Sequence, residues 1–145
     1  MFQHILIPTD GSKLSEKVAR KGIRFAREIG ARVTAFHAIA RFQASDVMMS
    51  LLGTSHGDYS RAARAYARER LRFVQESARV LGVACDTCHA TSDDPAGAII
   101  AAAQANGCDL ILMASHGRRG ASALLLGSET QKVLVRSTLP VLVYR

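Results

Sequence analysis

Apolar and polar positions along this chain switch between two periods. Compact apolar runs at residues 4–8, 32–38, 83–90, 109–114 and 140–144 read as strands, and the first and fourth are continuous enough to be buried. Pro140, opening the last run, suits an edge strand. Between the runs, apolar residues recur every three or four positions. Ser12 can cap a helix carrying Val18, Gly22, Phe25, Ala26 and Ile29 on one face, and Gly30 fits the position that ends it. A helix over residues 58–80 lines up Ala63, Ala67, Leu71, Val74 and Ala78, with Arg61, Arg64, Arg68 and Arg72 as a separate stripe. Asp94 and Pro95 are an N-cap and first-turn proline for a helix to about residue 106, and another helix begins near Gly127 and Ser128. Residues 39–57, with Met48, Met49, Leu51 and Leu52, read as irregular, a segment length often given to a flap or insertion.

Strand and helix alternate throughout, which predicts an α/β fold with a parallel sheet and helices on both faces. No repeat, linker or low-complexity stretch divides residues 1–145, so one domain is expected. In such sheets ligands bind beyond the carboxyl ends of the strands, where strand order reverses. That rule selects the loops after the first and fourth strands, which hold PTDGS and SHGRRGASALLLGS.

Composition narrows the function classes. Hydrophobic residues make up 48% of the 145 positions, enough for a sizeable core, and no apolar run is long enough for a membrane span. The opening MFQHILIPTDGS lacks a basic leader region and its short apolar run is broken by Pro8 and Asp10, so a cytoplasmic location is expected. Three cysteines do not make a disulfide framework. A formal net charge of +7 points to an anionic partner or simply to a basic surface.

The two selected loops carry the chemistry. Gly117 and Gly120 let backbone approach a ligand closely, and the helix opening at Gly127 and Ser128 offers free N–H groups and a positive dipole end. Ser128 adds a hydroxyl, with Arg118 and Arg119 nearby, and a phosphate is the natural occupant. The loop is neither a Walker A motif nor a G-x-G-x-x-G fingerprint. Asp10 stands where it can meet a ribose, a base or Mg²⁺, or hold its own turn through an Asx hydrogen bond.

Three segments, ILIPTDGS, DLILMASHGRRGASALLLGS and SETQKVLVRSTLPVLVYR, resemble the universal stress protein family, and the likeness spans essentially the whole chain. The resemblance implies a five-stranded parallel sheet of Rossmann-like, adenine-nucleotide alpha hydrolase-like type, and a homodimer joined through the last strand. Nucleotide-binding members carry G-x2-G-x9-G-[ST], which falls here on Ala114, Gly117, Gly127 and Ser128, with alanine in place of the first glycine. The implied cofactor is ATP or a related adenine nucleotide, with Mg²⁺ as its companion. Pro8, Asp10 and Ala38 would line the adenosine end, Met113 and Ala114 the ribose, and Gly117, Gly127, Ser128 and Glu129 the phosphates. Glu129 would repel phosphates unless a metal, Arg118 or Arg119 intervened. Alanine at 114 cannot adopt a backbone angle reserved for glycine, so a nucleotide-free signalling module of the same family is the alternative.

Other motifs are weaker. CDTCH at 85–89 matches a haem-attachment signature, but in a strand Cys85 and Cys88 point to opposite faces; a zinc site with His89 and Cys108 is not expected either, since the family's strand order keeps the third and fourth strands apart and Cys108 lies at the opposite end from His89. Ser115 and His116 are adjacent and are not expected to converge as nucleophile and base. The arginine stripe lacks the aromatic interleaving of a nucleic-acid surface. A regulatory nucleotide, with hydrolysis slow at most, is the expected role.

Overall fold

His4–Pro8 forms β1, whose first four residues are buried, and every other layer is built around it. The computed structural model describes residues 1–117 and 125–145; Arg118, Arg119 and Gly120, assigned above to the phosphate loop, lie outside them. The chain continues through α1 (Lys13–Ile29), β2 (Arg32–Ile39), α2 (Asp46–Leu51), α3 (His56–Val80) and β3 (Cys85–Thr91). It ends through α4 (Pro95–Ala105), β4 (Leu110–Ala114), α5 (Ser128–Arg136) and β5 (Val141–Tyr144). The five strands are parallel, in the order β3-β2-β1-β4-β5. Strand order therefore reverses between β1 and β4, and the loops after these two strands flank the switch point.

Two cores sit on the two faces. One packs Ile5, Ile7, Val33 and Leu112 against α1 and α3; the other packs Leu6, Phe36 and Ile111 against α4 and α5. Alternation along the strands sends Leu6 to one side and its neighbours Ile5 and Ile7 to the other. Gly22 lets α1 lie close to the sheet, since a Cβ there would meet Ile7 Cδ1 at 2.8 Å.

Several boundaries differ from the sequence expectation for local reasons. Ile29 does not join the buried face of α1: its last turn leaves it 38% exposed, while Ala19 and Ile23 are buried instead. Gly30 then takes φ 71°, the left-handed conformation that closes the helix. Strand β3 begins at Cys85 rather than 83, because the Val83 amide donates to Ala78 O (2.9 Å) to finish α3. The 39–57 segment is not wholly irregular: Ser45 caps α2 by accepting from Met48 N, and Met49 is buried beneath it. Asp109 precedes β4 and accepts from the Gln3 and His4 amides at 2.8 and 3.0 Å, clamping the start of β1.

Cys85 packs with the α1/α3 core and Cys88 with the α4/α5 core, the opposite-face arrangement expected of a strand. Cys108 shares the Cys88 face, and burial pushes its thiol, like that of Cys85, up to about 11. No helix among the described residues is long and apolar enough to cross a membrane.

Candidate functional site

Pro8 ends β1, and the next four residues form a turn held by its own side chains. Ser12 N donates to Asp10 Oδ1 (2.9 Å), an Asx turn, and Gly11 N donates to Thr9 Oγ1 (3.2 Å). Thr9 Oγ1 also lies 3.1 Å from Ser15 Oγ in the first turn of α1. From β2, Phe36 O accepts from Thr9 N (2.8 Å), and His37 Nδ1 donates to Thr9 O (2.7 Å). The His37 ring meets Tyr66 of α3 edge-on, at 5.9 Å between centroids. Gly11 sits at φ +76°, and the Arg70 side chain of α3 lies against it.

Ala114 ends β4 across the switch point. It is paired with Tyr144 in the sheet, and its carbonyl accepts from Thr130 Oγ1 (3.0 Å). Among the described residues no non-glycine residue has positive φ, so residue 114 is ordinary strand and needs no glycine angle. Ser115 N then donates to Tyr144 O (2.8 Å), and Gly127 N returns to Ser115 O (2.7 Å), bringing the two ends of the long loop together.

The two glycines of the loop leave space to close neighbours and hold no glycine-only backbone angle. Neither Gly117 nor Gly127 has positive φ. A Cβ on Gly117 would stand under 3.0 Å from Asp10 Oδ2, and one on Gly127 would stand 3.0 Å from His116 Cα. Gly127 is the N-cap of α5 and supplies no side-chain cap, so among the described residues the first-turn amides of Ser128, Glu129 and Thr130 are left for another acceptor. An uncapped helix end beside a glycine loop attracts an anion.

The structure brings Pro8, Asp10, Ala114, Gly117, Gly127 and Ser128 to the ends of β1 and β4 and the start of α5. Ala38 stands one strand away, paired with Ala90 near the end of β2. Met113 is buried in the α4/α5 core with only 6% exposure, so its side chain is packing rather than lining. Among the described residues the Glu129 carboxylate accepts from Ala96 N of α4 (3.0 Å) and from Lys132 Nζ (2.9 Å), which ties it to α4 and to its own helix. Ser115 Oγ and His116 Nδ1 do converge, at 3.1 Å, contrary to expectation: a bend at Ser115 ends β4 and turns the two side chains to one side. Thr9, His37, Tyr66 and Arg70 were missed in the sequence, because only the pairing of β2 with β1 and the packing of α3 place them there.

Comparison with known proteins extends this picture. The model of the universal stress protein family matches residues 1–145. A universal stress protein of Methanocaldococcus jannaschii is 30% identical, the match covering all of this chain and 83% of the relative. Two solved structures share the fold. The universal stress protein of Archaeoglobus fulgidus in complex with dAMP superposes with a TM-score of 0.67 at 19% identity, over 99% of this chain and 98% of that one. An Arabidopsis thaliana family protein with AMP bound superposes with a TM-score of 0.69 at 15% identity, over 97% and 90%.

Proposed function

The chain belongs to the universal stress protein family, and from that premise we propose that it binds ATP or a related adenine nucleotide as a regulatory ligand in a cytoplasmic stress response. The observation that carries the reading is the junction of Gly117 and Gly127 with the uncapped N-terminus of α5, at the point where strand order reverses. Family proteins of the same fold have been solved with dAMP and with AMP, which supports an adenine nucleotide as the class of ligand.

In this reading Pro8, Asp10 and Ala38 take the adenosine end, and Ala114 borders the ribose with Met113 packed behind it. Gly117 and the amides of Ser128 and Glu129 take the phosphates. Asp10, whose Oδ1 also accepts from the Ser12 amide, is the carboxylate that would meet Mg²⁺ arriving with the phosphates, since that of Glu129 is engaged by α4 and Lys132. Fast hydrolysis is not part of the role. Ser115 and His116 lie within hydrogen-bond reach, but the Ser115 side chain is buried, and a nucleophile needs access to its target.

A homodimer through β5 belongs to the same proposal. β5 is an edge of the sheet, and Leu142 on it, with Leu134 and Val135 on α5, is exposed. Pairing two such edges satisfies their open backbone groups and covers this apolar surface. Light scattering of the parent and of a Val135→Glu, Leu142→Lys variant tests it: the parent should be twice the monomer mass and the variant a monomer.

The nucleotide reading is tested by denaturing freshly purified protein and analysing the supernatant by chromatography. Stoichiometric adenine nucleotide is the expected result. An empty supernatant, with no thermal shift on adding ATP and Mg²⁺, would favour the nucleotide-free module.

A further inference from the structure

The formal charge of +7 is not spread over the molecule. Helix α1 holds six basic residues against two acidic ones, and α3 holds six against three, a surplus of seven. All of the net charge therefore stands on the two helices covering one face of the sheet, and the remaining residues balance. Both helices turn their apolar residues inward, so Arg20, Arg24, Arg27, Arg64, Arg68 and Arg72 are exposed. None of these six has a carboxylate oxygen within 4.0 Å among the described residues.

A groove of about 640 Å³ runs between the two helices, with Arg20, Arg24 and Arg72 along it and Phe73, Val80 and Leu81 as its apolar lining. Val80 is 70% exposed although it lies in a groove wall, and the Arg20 guanidinium rests 4.8 Å from the Phe73 ring centroid. Phe73 and Leu81 also pack against the α1/α3 core, and with the exposed Val80 they give this basic face an apolar floor. Apolar contact area enclosed by charge is the anatomy of a protein interface.

We propose that the α1/α3 groove docks an acidic amphipathic segment of a partner protein, its apolar side chains on Phe73, Val80 and Leu81 and its carboxylates on Arg20, Arg24 and Arg72. The interleaved charges decide against a nucleic acid. Glu69 lies in the groove and would face the phosphates, while Glu76 is already held by Arg79 through two hydrogen bonds of 2.6 and 2.9 Å. Discrete carboxylates on a peptide can match three arginines and avoid one glutamate, which a continuous phosphate backbone cannot. The inference does not depend on nucleotide binding.

The test uses the full chain and two synthetic glutamate-rich peptides of equal length and charge, one with leucines at i, i+3, i+4 and i+7 and the other with serines there. Fluorescence anisotropy should show the leucine peptide binding at least about tenfold more tightly, a difference of about 1.4 kcal/mol, with affinity falling as salt rises. Arg24→Glu with Arg72→Glu should remove that binding, and Val80→Ser should weaken the leucine peptide only. These positions are exposed, and circular dichroism checks the fold; Arg24→Gln with Arg72→Gln serves if charge reversal unfolds the protein. Equal affinity for both peptides, a preference for single-stranded DNA of matched charge, or no binding to either peptide would overturn the proposal.

Discussion

Asp10 and Gly117 meet across the switch point so closely that a methyl group on residue 117 would come within 3.0 Å of the Asp10 carboxylate. Gly117 leaves that room to Asp10, and its φ lies outside the left-handed region. Gly117→Ala should therefore displace Asp10 and weaken adenine-nucleotide binding by about tenfold or more, about 1.4 kcal/mol. In a double-mutant cycle with Asp10→Ala, the losses should be less than additive when read by calorimetry. Fully additive losses would mean that the two residues act separately.

Ala114, where the family motif has glycine, is strand backbone paired with Tyr144 and takes no glycine-only angle. Ala114→Gly should leave nucleotide affinity within about twofold and lower unfolding free energy by about 0.5–1 kcal/mol, the usual cost of glycine inside a strand. Urea unfolding and calorimetry read the two effects. A tenfold gain in affinity would show that the position needs glycine after all.

Glu129 braces α4 from α5 through the Ala96 amide. Glu129→Ala should cost stability of about 1 kcal/mol by leaving that first-turn amide without its acceptor, while the residue's own amide stays in place for a ligand. Denaturant midpoints of parent and variant check the first point. A variant as stable as the parent would contradict it.

His4 is buried at the start of β1, with Nε2 2.7 Å from Thr34 Oγ1. Burial, with Arg32 adding to it, holds its pKa below the ordinary 6.5, so the folded state prefers the neutral ring. Its stabilising contribution is complete above pH 6.5 and is lost as the pH falls from there through the lower folded value. Unfolding midpoints should fall between pH 7 and 5 more steeply for the parent than for His4→Gln, which cannot titrate. Equal slopes would remove His4 as the cause.

The sequence made the strands and the two functional loops legible because each carries a local signal: a buried apolar run, a glycine pair, an Asp-Pro helix start. What it could not show depended on contacts distant along the chain. The His37–Thr9 bond needs β2 beside β1, and the Glu129–Ala96 bond needs α5 beside α4. Short α2 escaped because six residues leave too little periodicity to read, and its Ser45 cap gains meaning only with Met49 buried behind it. Ile29 misled for the opposite reason: its spacing fits the apolar face, but the helix ends there.

The most direct test of the central claim is an amide NMR titration of the labelled protein with ATP and Mg²⁺. A ligand at the switch point should move the amides of Asp10, Gly11, Gly117, Gly127 and Ser128 most, together with the buried His37 amide behind them. Unmoved spectra, or shifts centred on Arg24 and Arg72 of the basic face, would contradict it.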